Sequence, residues 1–354
     1  MRRSIKIATL DLMRRSGIFD RVADSRWRRE RLLILCYHGL SLENEHKWRP
    51  ALFIEPSLLK RRLETLLALR CSVLPLSEAL VRLRAGDLPP RSVVLTFDDG
   101  TYDFYREAFP LLTQYGLPAT VYQTTYYMER ALPVFNLFCS YLLWHRRGDQ
   151  LPAAPQIGLS KPMDLQTELG RHKVVRALIE HSERENLTGS EKNETARQLA
   201  FHLGVDYEVL FRKRILQLMN AEELKQIANA GIDVQLHTHR HRTPDDEVSF
   251  RREISDNRAR LESVLGRPAI HFCYPGGIHH KQFPEWLKKE NVVSATTCDA
   301  GIVGNGDNPF LIPRVVDTTG RTDLEFESWV CGAGSLLALR KAAPQRYVVP
   351  TDSL

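Results

Sequence analysis

The sequence predicts an α/β protein: a mostly parallel sheet closing into a βα barrel, interrupted by one helical insertion. Three observations predict it. From residue 31 onward, short apolar runs alternate with helical segments. Five of those runs end, at their C-terminal ends, in residues that do chemistry, and a parallel βα barrel gathers its catalytic groups at that end. Between about 128 and 218 the rhythm gives way to a polar, helical stretch.

Taken in order, residues 1–30 read as a basic helical arm, with Ile5, Ala8, Leu12 and Met13 at roughly helical spacing. Such an arm either packs on the domain or lies on an anionic membrane surface as a peripheral contact. The first half of the barrel, 31–127, holds strands at 32–37, 92–97 and 119–124. Helices are expected at 57–70, 77–84 and 103–115; the first carries Leu58, Leu59, Leu63, Leu66 and Leu67 on one face. The insertion, 128–218, carries helices at 173–180 and 212–219. The second half, 219–325, predicts helices at 221–230, 248–265 and 284–290, with strands at 232–237, 269–274, 292–296 and 311–316. A C-terminal helix and tail, 326–354, follows and turns irregular after about 340.

Composition narrows the function. At 354 residues, 43% apolar and 26% charged, the chain can bury a barrel-sized core. No apolar run approaches the ~18 residues of a spanning helix. The N-terminus is not a secretory signal, because Asp11 and Arg14 interrupt its apolar stretch. A cytoplasmic location, with the arm as a membrane-peripheral element, is therefore expected. The net charge of +6 comes from basic residues spread along helices without interleaved aromatics, which argues against nucleic acid. The six cysteines form no CxxC pair and read as buried free thiols.

The chemistry sits at the strand ends. VVLTF is followed by Asp98, Asp99 and Gly100; IDVQL by His237, Thr238, His239, Arg240 and His241. LLILC leads to Tyr37 and His38, IHFC to Tyr274, Pro275, Gly276 and Gly277, and FLIP to Arg314. Adjacent carboxylates after a strand point in different directions, so one can hold a metal while the other acts as a base. Histidines at i and i+4 share a face, whereas His239 points elsewhere. One carboxylate and two imidazoles make three ligands and leave a position open, the pattern of a catalytic zinc.

These residues resemble the polysaccharide deacetylases, the NodB-homology or carbohydrate esterase 4 family. TFDDG at 96–100, HTHRH at 237–241 and YPGG at 274–277 are similar to its first three motifs, in order. The resemblance implies a distorted (β/α)7-type barrel and a zinc ion, or another divalent transition metal, on Asp99, His237 and His241. It makes Asp98 the base, Thr238 a support of the histidine loop, and Tyr274, Pro275 and Gly276 the substrate-binding motif, with a nearby backbone N–H holding the oxyanion. The implied partner is an N-acetylated glycan or glycolipid. Two departures stand out. Cys273 occupies the place of an arginine that orients the base, leaving Arg314 as the substitute. The late Leu-x-His that supplies the acid is missing, leaving His38, with His279 and His280 as rivals. The expected reaction is removal of N-acetyl groups from a sugar. The alternatives are hydrolysis of a non-sugar amide or an O-acetyl ester on the same barrel, and a sugar-binding protein that has lost catalysis.

Overall fold

In the computed structural model, residues 3–338 are described; the tail predicted beyond 340 lies outside them. The longest apolar runs become the central strands. They are β1 (Arg31–Tyr37), β2 (Ser72–Val73), β3 (Ser92–Phe97), β4 (Thr120–Gln123), β5 (Asp233–Leu236), β6 (His271–Cys273), β7 (Ser294–Thr296), β8 (Val303–Gly304) and β9 (Val315–Val316). Together they form one nine-stranded sheet. Parallel pairing runs β7-β6-β5-β4-β3-β1-β9, with β2 beside the start of β3 and β8 antiparallel to β1. A bridge from Thr296 to Ile312 links β7 to the segment that leads into β9, so the curled sheet nearly closes on itself.

Strands covered on both faces need apolar residues at every position, which is why β1 reads RLLILCY. The period of two still sorts them. Leu33, Leu35 and Tyr37, with Val93, Leu95 and Phe97, pack against Leu59, Leu63 and other residues of the outer helices. Leu32, Ile34 and Val94 instead share a cluster with Tyr122, Cys273 and Ile312 inside the barrel. Helix Leu76–Ala85 closes the floor of that interior with Leu76, Ala79, Leu80 and Leu83. The same parity carries Cys36 and Thr96 to the interior, and Asp98 beyond them.

The arm forms α1 (Arg3–Arg15), α2 (Ile18–Ala23) and α3 (Arg26–Arg29). Leu10, Phe19 and Ala23 pack with Cys331 and Ala333 of the two C-terminal helices, Asp323–Cys331 and Ala333–Ala338. Arg28 is fully buried and fixes the arm, donating to the carbonyls of Val330, Arg31 and Ser92.

The insertion has its own apolar cluster, centred on Phe138, Leu142, Val174, Leu178, Leu199 and Leu210. Helix Glu168–Arg184 contains the predicted 173–180 segment. The helix predicted at 212–219 does not form. Helix Tyr207–Arg212 stops there, and Arg214 and Leu216 take left-handed φ of 57° and 56°. The cause is long-range pairing: Gln217 bridges Pro133 and Leu218 bridges Thr101, which an α-helix would forbid. The exit of the insertion is thereby stitched to the loop after β3, and Met219 N–H donates to the Gly100 carbonyl at 3.0 Å. The expected helix 103–115 is also broken in character. Its first turn is a π-helix, Phe104–Ala108, and the α-helix Phe109–Tyr115 has Pro110, which has no N–H to donate, in its first turn.

Candidate active site

The strand ends of β3, β5, β6 and β1 meet at one barrel mouth. Asp98 points inward beneath it and is met by Arg314, both side chains being buried. The pair is bidentate, with Nη1 on Oδ1 and Nη2 on Oδ2, each at 2.7 Å. Arg314 is held in turn by the Thr297 carbonyl at 2.9 Å and Thr96 Oγ1 at 3.0 Å. Burial alone would raise the Asp98 carboxyl, but the Arg314 guanidinium overrides it and holds the group well below the usual carboxylate range. Asp98 is thus kept ionised despite its burial.

The next residue turns away from that pocket. Asp99 adopts φ +70°, a strained conformation for a non-glycine residue. Its Oδ1 lies 3.2 Å from His237 Nε2 and 3.1 Å from His241 Nε2. Gly100 follows because a Cβ there would run into the Gln123 amide. The histidine loop is strained as well, with Thr238 at φ +61° and His241 at +55°. Thr238 Oγ1 accepts the Arg242 N–H at 3.1 Å, bracing the loop as expected. His239 turns outward to Thr125 Oγ1, 2.9 Å from Nδ1.

The donors of Asp99, His237 and His241 all lie within 4.8 Å of one another, as ligands of one cation must. The chemistry of the set fits a divalent transition metal. His237 Nδ1 lies 2.9 Å from the Cys273 carbonyl, to which it donates, and this leaves Nε2 as the nitrogen that faces Asp99 and would ligate a metal. His237 is buried, whereas Asp99 and His241 are part-exposed, which leaves an open side.

His38 lies at the same mouth, with Nε2 3.7 Å from Asp98 Oδ2. Its buried Nδ1 has no hydrogen-bond partner among the protein groups. The rivals are engaged elsewhere: His279 pairs with Asp299 at 3.2 Å and His280 with Asp245 at 3.0 Å. In the YPGG motif, Tyr274 is not a surface for substrate. Its ring is buried and its hydroxyl donates to the Phe310 carbonyl at 3.0 Å. Its N–H is spent on Thr296, a β6–β7 contact of 3.1 Å. Pro275 is buried too, so of the three only Gly276, with φ +60°, is part-exposed.

Asn257, Cys36 and Cys298 belong to the site without standing in any of the motifs above, and the thiol of Cys273 joins them there. Asn257 is fully buried; its Oδ1 accepts the His237 N–H, and its Nδ2 donates to the Gln123 carbonyl and Thr125 Oγ1. The signal existed: Asn257 shares the buried stripe of Phe250, Ile254 and Leu261 in helix Glu247–Leu265, where a polar residue needs a reason. Cys36 and Cys273 place their thiols 3.5 and 3.4 Å from Asp98 Oδ2. Cys298 lies 3.8 Å from Arg314 Nη2.

The family profile Polysaccharide deacetylase matches residues 85–157 and 187–294, about half the chain. The chain belongs to the polysaccharide deacetylase family. It is therefore a hydrolase of carbon–nitrogen bonds other than peptide bonds, as the members of that family are. The unmatched stretch between the two segments falls inside the insertion. No curated protein matches the sequence significantly. Among solved structures, the chain is similar to the Streptococcus pyogenes deacetylase PplD in complex with acetate, at TM-score 0.57 and 17% identity, over 85% of this chain and 98% of that one. IcaB from Ammonifex degensii gives 0.53 and 18%, over 86% and 97%. BC0361, a polysaccharide deacetylase from Bacillus cereus, gives 0.51 and 16%, over 85% and 69%. At these identities the likeness is one of fold, and it agrees with the barrel described above. Arg314, which meets Asp98, comes from the segment before β9. Its Nη2 sits 3.0 Å from Cys273 Sγ, in the room the smaller side chain leaves.

Proposed function

We propose that this polysaccharide deacetylase removes N-acetyl groups from an N-acetylated glycan, using a divalent metal, zinc by donor set, on Asp99, His237 and His241. The observation that carries this reading is the juxtaposition of a convergent carboxylate–imidazole triad with an ionised, arginine-locked carboxylate one residue away. A bound divalent ion supplies polarisation of the acetamide carbonyl and a water that ionises near neutral pH.

The chain's own residues do the rest. Asp98 accepts the proton of the attacking water, and Arg314 keeps its carboxylate ionised and fixed in orientation. The Gly276 N–H is the donor of the YPGG motif left to face the developing oxyanion, because Tyr274 N–H is in the sheet and proline has none. His38 donates a proton to the departing amine, which leaves poorly as an anion. One water is consumed, and acetate and a free amino sugar leave. The insertion, rooted beside Gly100 and Thr101, borders the mouth and selects the glycan.

The test is acetate release from N-acetylglucosamine oligomers, acetylated xylan and a small N-acetyl amide, with metal-stripped and zinc-loaded protein. Release from the oligomers alone, dependent on metal, is the expected result. Release from xylan or the small amide alone would transfer the reading to an ester or non-sugar amide. Tight oligomer binding with no release would indicate a lectin-like protein.

A further inference from the structure

Basic residues occur along the whole chain, but their excess over acidic ones is concentrated in the arm. Residues 1–30 hold nine Lys and Arg against four Asp and Glu, a balance of +5. The remaining residues hold 40 against 39, so the arm carries most of the net charge. Its first helix also has two faces. Leu10 is buried against the domain, and Lys6 and Arg14 reach back to Glu325 and Glu327. The opposite face presents Ile5 and Leu12, 54% and 68% exposed, with exposed Ala8 between them at helical spacing. Arg15, paired with Asp11 on the same helix, is exposed beside this stripe, and Arg21, Arg26 and Arg29 are exposed on the two helices that follow; Arg3 instead turns to Glu325 on the domain side. A solvated helix face has no reason to carry Ile and Leu at that spacing.

We propose that α1 docks the protein on an anionic phospholipid surface, with Ile5, Ala8 and Leu12 entering the headgroup boundary and the flanking arginines meeting lipid phosphates. Charge complementarity selects this occupant. Three small apolar side chains bury too little to hold a protein on a neutral bilayer, so the attraction must come largely from the cations. The arm is braced for this role. Arg28 ties it to the barrel floor, and α1 runs along helix Asp323–Cys331 on the flank of the barrel. The principal neighbours of α1 are α2 and helix Asp323–Cys331, neither of which supplies a residue of the site.

The experiment is flotation of the full chain with vesicles of phosphatidylcholine alone and of phosphatidylcholine with about one-third phosphatidylglycerol. We expect binding to the anionic vesicles only, weakened more than about tenfold when salt rises from about 0.1 M to about 0.5 M. Ile5→Glu with Leu12→Glu should abolish it while leaving the melting temperature and deacetylation of a soluble oligomer unchanged. Arg15→Ser and Arg29→Ser should each weaken it about fivefold. Absence of binding at low salt, equal binding to neutral vesicles, or binding that survives Ile5→Glu with Leu12→Glu overturns the proposal. So does a salt-stable dimer that the same double variant dissolves, which would assign the stripe to a second copy. The readout is lipid capture and stands whether or not the deacetylase mechanism is right.

Discussion

The pocket beneath Asp98 and the triad beside Asp99 grow from adjacent residues, and their surroundings could hardly differ more. Asp98 is closed in by Arg314, Thr96 and three thiols, with both carboxylate oxygens committed to one guanidinium. Asp99 is turned out by a left-handed backbone toward two imidazoles and an open side. Alternation along the strand sends the two side chains apart, and burial then decides their tasks. A carboxylate whose cation is a fixed arginine stays a base. One turned toward two imidazoles on an open side is left to hold something else. Asp103 supplies the control: it is buried as deeply, is held by the Leu40 N–H, and has no cation paired with it among the described residues. Burial there wins and pushes the carboxyl up to about 7.

The largest way to break this comparison is Asp98→Asn. Turnover should fall by about 10²–10⁴, the usual worth of a general base. The fold will not be indifferent, because the variant strands a buried guanidinium; removing one partner of such a pair costs about 3–5 kcal/mol. Rates must therefore be read on protein shown by circular dichroism to be folded, and a folded variant with wild-type turnover would dismiss Asp98 as the base. Arg314→Ala strands the other partner. It should cost a similar amount in denaturant unfolding and cut turnover as well, with Arg314→Lys recovering only part of both, since an ammonium cannot make the bidentate contact. A variant of unchanged stability would show the pair to be idle.

Asp103→Asn sharpens the comparison through pH. The native Asp103 carboxyl sits near 7 and the unfolded one near 4, so its stabilising contribution is complete below about 4 and is lost as pH rises through 7. The variant, neutral throughout, should gain on the wild type across that window, by about 4 kcal/mol at most. Melting curves that stay parallel from pH 4 to 8 would contradict the assignment. The smallest effect concerns the thiols. Hydrogen bonding from Cys36, helped by Arg314, lowers the part-exposed Cys298 thiol to about 6, against its burial. Burial pushes Cys36 and Cys273 up instead. Iodoacetamide near neutral pH should label Cys298 first, as peptide mapping would show. Labelling of Cys36 or Cys273 before it would reverse that order.

Local pattern made much of this legible. β1 and β3 were readable because strands buried on both faces must be apolar throughout, and the polar residues after them stand out by contrast. Partners set at long range were not. The 212–219 segment has helical composition, yet Thr101 and Pro133 claim its backbone. The sheet closure through Ile312 and the service of Asn257 to His237 depend on which elements become neighbours in space. The burial of Tyr274 has the same origin: Phe310 offers its carbonyl from another loop, a partner that the motif itself does not announce.

The central claim is that Asp99, His237 and His241 hold the ion on which deacetylation depends. It is tested most directly by titrating zinc into metal-stripped protein while following acetate release from an N-acetylglucosamine oligomer. The account predicts no release without metal, recovery that saturates at one equivalent in the wild type, and no recovery at that level for His241→Ala, which is part-exposed and should fold. Metal-free release, or full recovery of His241→Ala at one equivalent, would contradict it.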